Sequence, residues 1–142
     1  GLISSQGEVT LKAETTKVIG TVNANVNTGG NPTYQKFISG VGLNSTSVKG
    51  SAAKLVILHI VNGAATARFF KLYNQATAPT VGTDTPLITI TLPAGQSNFT
   101  LPTLVGIDFS VGLSFAVTLG VQDGDTTPFT VAGEVTAMIA YV

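Results

Sequence analysis

Arg68 to Gly95 reads RFFKLYNQATAPTVGTDTPLITITLPAG, and this stretch decides the fold class. Phe69, Lys71 and Tyr73 alternate with Phe70 and Leu72, while Ile88, Ile90 and Leu92 alternate with Thr89 and Thr91. A period of two residues belongs to strands. Pro79, Gly82, Asp84 and Pro86 punctuate the link between the two runs, so the stretch predicts strand, turn-rich loop and strand. Nothing in it forms a catalytic pair.

Working outward, Lys54 to Val61 is almost continuously apolar. Simple alternation places Leu55, Ile57, His59 and Val61 on one face and Val56, Leu58 and Ile60 on the other. A strand apolar on both faces is central in its sheet, or covered on its second side by another subunit. Asn62-Gly63 follows, a tight-hairpin signal that predicts Thr66 to Tyr73 returning beside the first strand. Upstream, Gly40 and Gly42 weaken the run Phe37 to Leu43. NTGGNPTY, residues 27 to 34, reads as a loop and as the boundary between a segment 1–36 and a body 37–142. In the first segment Val9 and Leu11, then Val18, Val22, Ala24 and Val26, have strand spacing and predict edge strands or an extended arm. Downstream, Asn98 to Leu101, Leu113 to Val121 (Leu113, Phe115, Val117, Leu119 and Val121 inward) and Glu134 to Val142 read as further strands, with DGDTTP, residues 123 to 128, as a loop.

Strands at about ten-residue spacing, with turn residues between them and no helical period, predict an all-β chain. The architecture expected is a β-sandwich of jelly-roll type with about eight to ten strands. Abundant Thr and Val and scarce Glu agree with it.

Charged residues make up only 10% of the 142 residues. The mean hydropathy is +0.40, high for a surface that meets only water, so contact with other protein is expected. All seven bases (Lys12, Lys17, Lys36, Lys49, Lys54, Arg68, Lys71) precede Leu72, accompanied by Glu8 and Glu14, whereas five acids and no base follow. A sheet fold scrambles sequence halves, so interleaved strands are expected to mix these charges. The bases form no stripe with interleaved aromatics, which argues against nucleic acid as a partner. No apolar run approaches the ~20 residues of a spanning helix, so no membrane partner is expected. GLISSQGE lacks a basic region followed by a long apolar one, so no secretory signal is read there.

Chemistry finds little foothold. The absence of cysteine removes thiol catalysis and cysteine-ligated zinc within the chain. His59 is the single histidine, and its place in an apolar strand predicts a buried structural imidazole rather than a triad member or metal ligand. Asp123-Gly124-Asp125 resembles part of a calcium loop, but the longer acidic run and the distant Glu are missing, so an acidic turn is expected. Asn44-Ser45-Thr46 and Asn98-Phe99-Thr100 match the glycosylation sequon and read as chance occurrences in a Thr-rich chain. Phe69, Phe70 and Tyr73 read as core rather than as a sugar platform. No cofactor is expected.

Three stretches, KLYNQATAPTVGTDTP within Ala67 to Pro93, GIDFSVGLSFAVT (Gly106 to Thr118) and DTTPFTVAGEVTAMIAYV (Asp125 to Val142), resemble a β-rich structural module of tailed-bacteriophage and prophage virion proteins. The likeness covers about the C-terminal 60% of the chain and is closest to capsid decoration, or cement, proteins. It implies a non-enzymatic protein on the outer surface of the capsid, made in the host bacterial cytoplasm. Its partners would be the major capsid protein and itself, as a homotrimer. On that expectation Lys12, Lys17 and Lys36 contact the shell. Leu55, Ile57, His59 and Val61 form the subunit contact, and the Ala76 to Pro86 loop offers a further contact surface. The alternative is a tail, fibre or baseplate module that recognises a host surface glycan.

Overall fold

Eight antiparallel strands order the described residues as a ribbon folded back on itself. The computed structural model describes residues 31–95 and 97–142. The strands are β1 (Thr33–Ile38), β2 (Thr46–Lys49), β3 (Ala53–Asn62), β4 (Arg68–Asn74), β5 (Ile88–Leu92), β6 (Ser97–Phe109), β7 (Leu113–Thr118) and β8 (Val135–Tyr141). β4 pairs with β5, β3 with β6, β2 with β7 and β1 with β8, so each strand of the first half meets its counterpart in the second. Two further pairings, β3 with β8 and β4 with β7, wind this ribbon into two four-stranded sheets. Their orders are β1-β8-β3-β6 and β2-β7-β4-β5, the nested arrangement of a jelly roll. Arg68 to Gly95 is the tip of the ribbon: β4, loop and β5 in register from Arg68↔Leu92 to Leu72↔Ile88.

Asn31–Val142 forms one compact unit, and residues 1–30 form the other. The second lies outside the described residues, and with it the expected arm, Lys12, Lys17 and the strand-spaced runs from Val9 to Val26. The boundary expected after residue 36 falls inside β1, an edge strand of the first sheet.

The core lies between the sheets. Leu55, Leu58, Ile60, Phe70, Leu72, Leu92, Phe109, Leu113, Phe115, Phe129, Val135 and Ile139 are fully buried there. Phe37 of β1 reaches across to Phe70 of β4 and Phe115 of β7, with ring centroids 6.2 and 4.7 Å away in edge-to-face geometry. Phe70 and Phe115 stack at 4.9 Å. Such pairs add about 0.5–1.5 kcal/mol each beyond their area burial, and this trio ties the two sheets together.

Two local expectations fail for identifiable reasons. Asn62-Gly63 does not close a hairpin, because Thr66 to Tyr73 enters the opposite sheet rather than pairing with β3. Asn62 is fully buried and spends its amide on the crossing instead. Its Nδ2 donates to the carbonyls of Thr66, Leu92 and Pro93 at 3.0–3.1 Å, and its Oδ1 accepts from the Ala64 N–H at 2.9 Å. Val121, expected inward at the end of a strand, is 53% exposed because β7 stops at Thr118.

Candidate interaction surface

The two sheets treat their outer faces differently. Over the middle of β2-β7-β4-β5 the outward residues Lys71, Tyr73, Ser114, Ala116 and Thr118 are buried, while Phe69 and Thr89 are half-buried and Ser47 and Thr91 exposed. The chain's own loops cover them: Val81 and Leu43 pack on Tyr73 and Ala116. Lys71 Nζ donates to the carbonyl of Gln122. Pro79, Val81 and Pro86 are buried in that covering loop, so the Ala76 to Pro86 segment expected as a contact surface faces its own sheet over these residues.

Titratable groups lie beneath and within the cover. Burial lowers the Lys71 pKa, and the nearby Asp125 and Asp123 carboxylates oppose that shift. Burial raises the Tyr73 pKa, with Asp84 and Asp123 adding to it, and the Tyr73 hydroxyl has no hydrogen-bond partner among the described residues. Asp84 accepts the Thr80 N–H at 2.7 Å and the Gln75 amide at 3.0 Å, which holds its carboxyl below the usual range. Asp125 accepts the Thr127 hydroxyl and N–H at 2.6 and 3.0 Å and is lowered likewise. The DGD stretch is therefore a capped turn. Among the described residues no group of three or more His, Cys, Asp or Glu side chains is placed to hold a metal ion.

Among the described residues, nothing covers the outer face of β1-β8-β3-β6. Strand register lays it out in three rows: Tyr34–Ala140–Ile57–Pro102, Lys36–Met138–His59–Thr100 and Ile38–Thr136–Val61–Asn98. Tyr34 is 64% exposed, Ile38 58%, Met138 39% and Ile57 36%. Tyr34, Lys36, His59, Thr136 and Met138 line a shallow groove across the middle row. No Asp or Glu stands at any of these register positions, and Lys36 brings the formal charge.

A β-bulge decides which residues reach this face. Between Leu55 and Ile57 the pairing to β8 advances by one residue, from Tyr141 to Ala140, which inserts Val56 and exchanges the faces of β3. Leu55 therefore joins Leu58 and Ile60 inside and leaves the expected subunit-contact set, while Ile57, His59 and Val61 point outward. His59 is half-exposed rather than buried, and its Nδ1 lies 2.7 Å from Thr100 Oγ1. Uninterrupted alternation cannot reveal such a bulge, because Val56 is as apolar as its neighbours. Lys36 is exposed on β1 at the rim of the same face. Of the three aromatics expected in the core, Phe70 and Tyr73 are fully buried, whereas Phe69 is half-buried. The Asn44 side chain of the first sequon is engaged with the backbone of Gly40 and Gly42 at 2.8–3.1 Å. The Asn98 side chain lies outside the described part of the structure.

No helix among the described residues is long and apolar enough to cross a membrane. No protein-family model and no curated protein matches the chain. Two solved structures of the coat protein of Tobacco streak virus do, each at 13% identity. One covers 81% of this chain and 87% of its own length at a TM-score of 0.33. The other, a coat protein dimer, covers 81% and 88% at 0.36. The jelly-roll assignment stands on the strand order of this chain itself: two antiparallel four-stranded sheets, β1-β8-β3-β6 and β2-β7-β4-β5, make it an all-β jelly-roll sandwich.

Proposed function

We propose that the chain is a non-enzymatic structural protein of a virion and, more finely, a decoration or cement protein that binds the outer head lattice of a tailed bacteriophage. The open outer face of β1-β8-β3-β6, with Tyr34, Ile38, Ile57 and Met138 exposed, carries this reading, since it offers flat area for protein contact rather than an enclosed reaction site. The same fold serves unrelated roles, so the surface and not the topology supports this reading. The ends of the charge scale agree. A shell-lining protein that neutralises packaged nucleic acid needs clustered Lys and Arg. Here seven bases are dispersed and balanced by seven acids.

In this reading the major capsid protein is the partner, and Lys12, Lys17 and Lys36 contribute to the shell contact. Repetition over a lattice multiplies a modest interface by avidity. The deciding experiment adds purified protein to heads that lack it and measures saturable binding and the temperature at which the shell opens. Binding together with a raised opening temperature is expected. Absence of binding to heads, with binding to a host glycan in the groove beside Tyr34, would instead establish the glycan-recognising module.

A further inference from the structure

We propose that Asn62-Gly63 is a modification site governed by the folding state of the chain. The native fold keeps Asn62 as the amide, whereas an unfolded chain loses ammonia there, and the aspartate or isoaspartate so formed bars it from folding again. The inference goes beyond the virion reading and does not depend on it.

The chain contains one Asn-Gly pair. Reaction at such a pair needs no enzyme. The Gly63 backbone nitrogen gives up its proton to solvent base and attacks Asn62 Cγ. The Cγ–Nδ2 bond then breaks, ammonia leaves with a proton taken from water, and a succinimide ring forms. Water opens the ring at either carbonyl, which leaves an aspartate or, with the main chain rerouted through the side-chain carbon, an isoaspartate. Glycine in second place favours the attack, because it has no Cβ to shield its nitrogen and its backbone turns freely.

The native structure withholds each requirement. Gly63 N–H donates to the Glu134 carbonyl at 2.7 Å, so the nucleophile is engaged. The Asn62 amide is pinned by the Thr66, Leu92 and Pro93 carbonyls and by the Ala64 N–H, and Cγ swings toward the Gly63 nitrogen only if these bonds break. Asn62 is fully buried, which keeps out the water that the reaction consumes. Opening must therefore come first, and the rate falls with the population of opened chains.

The product fits the site badly. In place of an N–H donor facing three carbonyl oxygens stands a group that only accepts and that is charged at neutral pH. The neighbouring guanidinium of Arg68, which reaches Thr66 O at 3.5 Å, is already held at two points by the Glu134 carboxylate. Isoaspartate also lengthens the main chain by one carbon where β3 meets β8, at Asn62↔Val135.

The test holds the full chain at one mildly alkaline pH in buffer and in guanidinium chloride, and follows the Asn62 peptide by mass spectrometry. Replacement of NH2 by OH adds about 1 Da. Ring closure and reopening at Asp123-Gly124 restores the original mass and does not interfere. The gain should be at least about a hundredfold slower in buffer. After dilution from denaturant, the fraction that refolds should fall in step with the gain. Gly63→Ala brings a Cβ no nearer than 3.5 Å to Glu134 O, at a φ outside the left-handed region. That variant should fold like the parent, gain mass severalfold more slowly in denaturant and keep its capacity to refold for correspondingly longer. Asn62→Asp should unfold at lower denaturant concentration than the parent or not fold at all. Equal mass gain in the two media, refolding indifferent to that gain, or an Asn62→Asp chain with the parent's denaturant midpoint would each overturn the proposal.

Discussion

Arg68 and Glu134, 66 residues apart in sequence, meet as a two-point ion pair with Nε–Oε2 at 2.8 Å and Nη2–Oε1 at 2.9 Å. Both side chains are nearly buried, at 10% and 14% exposure, and the guanidinium lies over the Phe129 ring at 5.3 Å. The pair joins the start of β4 to the start of β8. It is one of several contacts in which a base of the first half meets an acid of the second. Lys54 and Asp108 are direct register partners on β3 and β6 and bridge at 2.9 Å, and Lys71 lies near Asp123 and Asp125. A folded-back ribbon pairs the two halves of the chain, so segregation along the sequence becomes complementarity across the ribbon.

Removing one member of the buried pair leaves the other as an uncompensated charge. Arg68→Ala should destabilise by about 3–5 kcal/mol, whereas the double replacement Arg68→Met with Glu134→Leu should cost far less. Urea unfolding of the single and double variants checks this. Equal losses in both would show that packing on Phe129, not charge, is what Arg68 contributes.

Lys71 is buried beneath the 119–128 loop at a cost in desolvation. Lys71→Met keeps the volume and removes the buried ammonium, so thermal stability should hold or rise. Lys71→Ala should lose about 2 kcal/mol or more by leaving a cavity. In Lys71→Met the loss of the Gln122 contact should speed amide exchange in residues 119–128. Unchanged exchange there would show that the Lys71–Gln122 hydrogen bond does not restrain the loop.

Gly112 opens β7 where the β4–β5 loop passes. A Cβ at this position would stand 2.6 Å from Gln75 O and Ala76 Cα, which are backbone atoms that cannot rotate away. Gly112→Ala should therefore cost about 1–3 kcal/mol. Gly95→Ala, which meets nothing within 4 Å but sits at φ +81°, should cost about 1 kcal/mol through backbone strain alone. Denaturant midpoints of the two variants provide the comparison.

Asp84 and Asp125 both titrate below their ordinary value in the folded chain. A depressed carboxylate contributes stability that is fully present above the unfolded pKa of about 4 and is lost as pH falls through the folded value. Because both groups cap turns over the second sheet, acidification below pH about 4 should loosen residues 75–87 and 119–128 before the core strands open. Hydrogen exchange at pH 3, corrected for intrinsic rates and set against pH 7, reads the effect. Equal protection at both pH values would contradict it.

Much of the fold is legible along the chain because side-chain alternation is a local property. The runs at Arg68–Asn74, Ile88–Leu92 and Val135–Tyr141 read directly as strands and the link between the first two as a turn-rich loop, whereas the β4–β5 pairing came only with the tertiary structure. The candidate surface was half legible. The apolar run at Leu55 to Val61 marked a strand with two apolar faces, but the Val56 bulge moved Leu55 inside and turned His59 outward. Asn62-Gly63 carried a correct turn signal and the wrong destination, since nothing local tells whether a strand returns to its own sheet or crosses to the other.

Alternation, turn chemistry and charge order were thus determined by the sequence alone, because each depends on neighbours a few residues away. Only tertiary structure decided which sheet face the loops cover and which stays open. That choice depends on how the ribbon winds, which sets Val81 and Leu43 against Tyr73 and leaves Tyr34, Ile57 and Met138 in solvent. Both faces are written in the same apolar residues, and burial distinguishes them only after distant segments have packed.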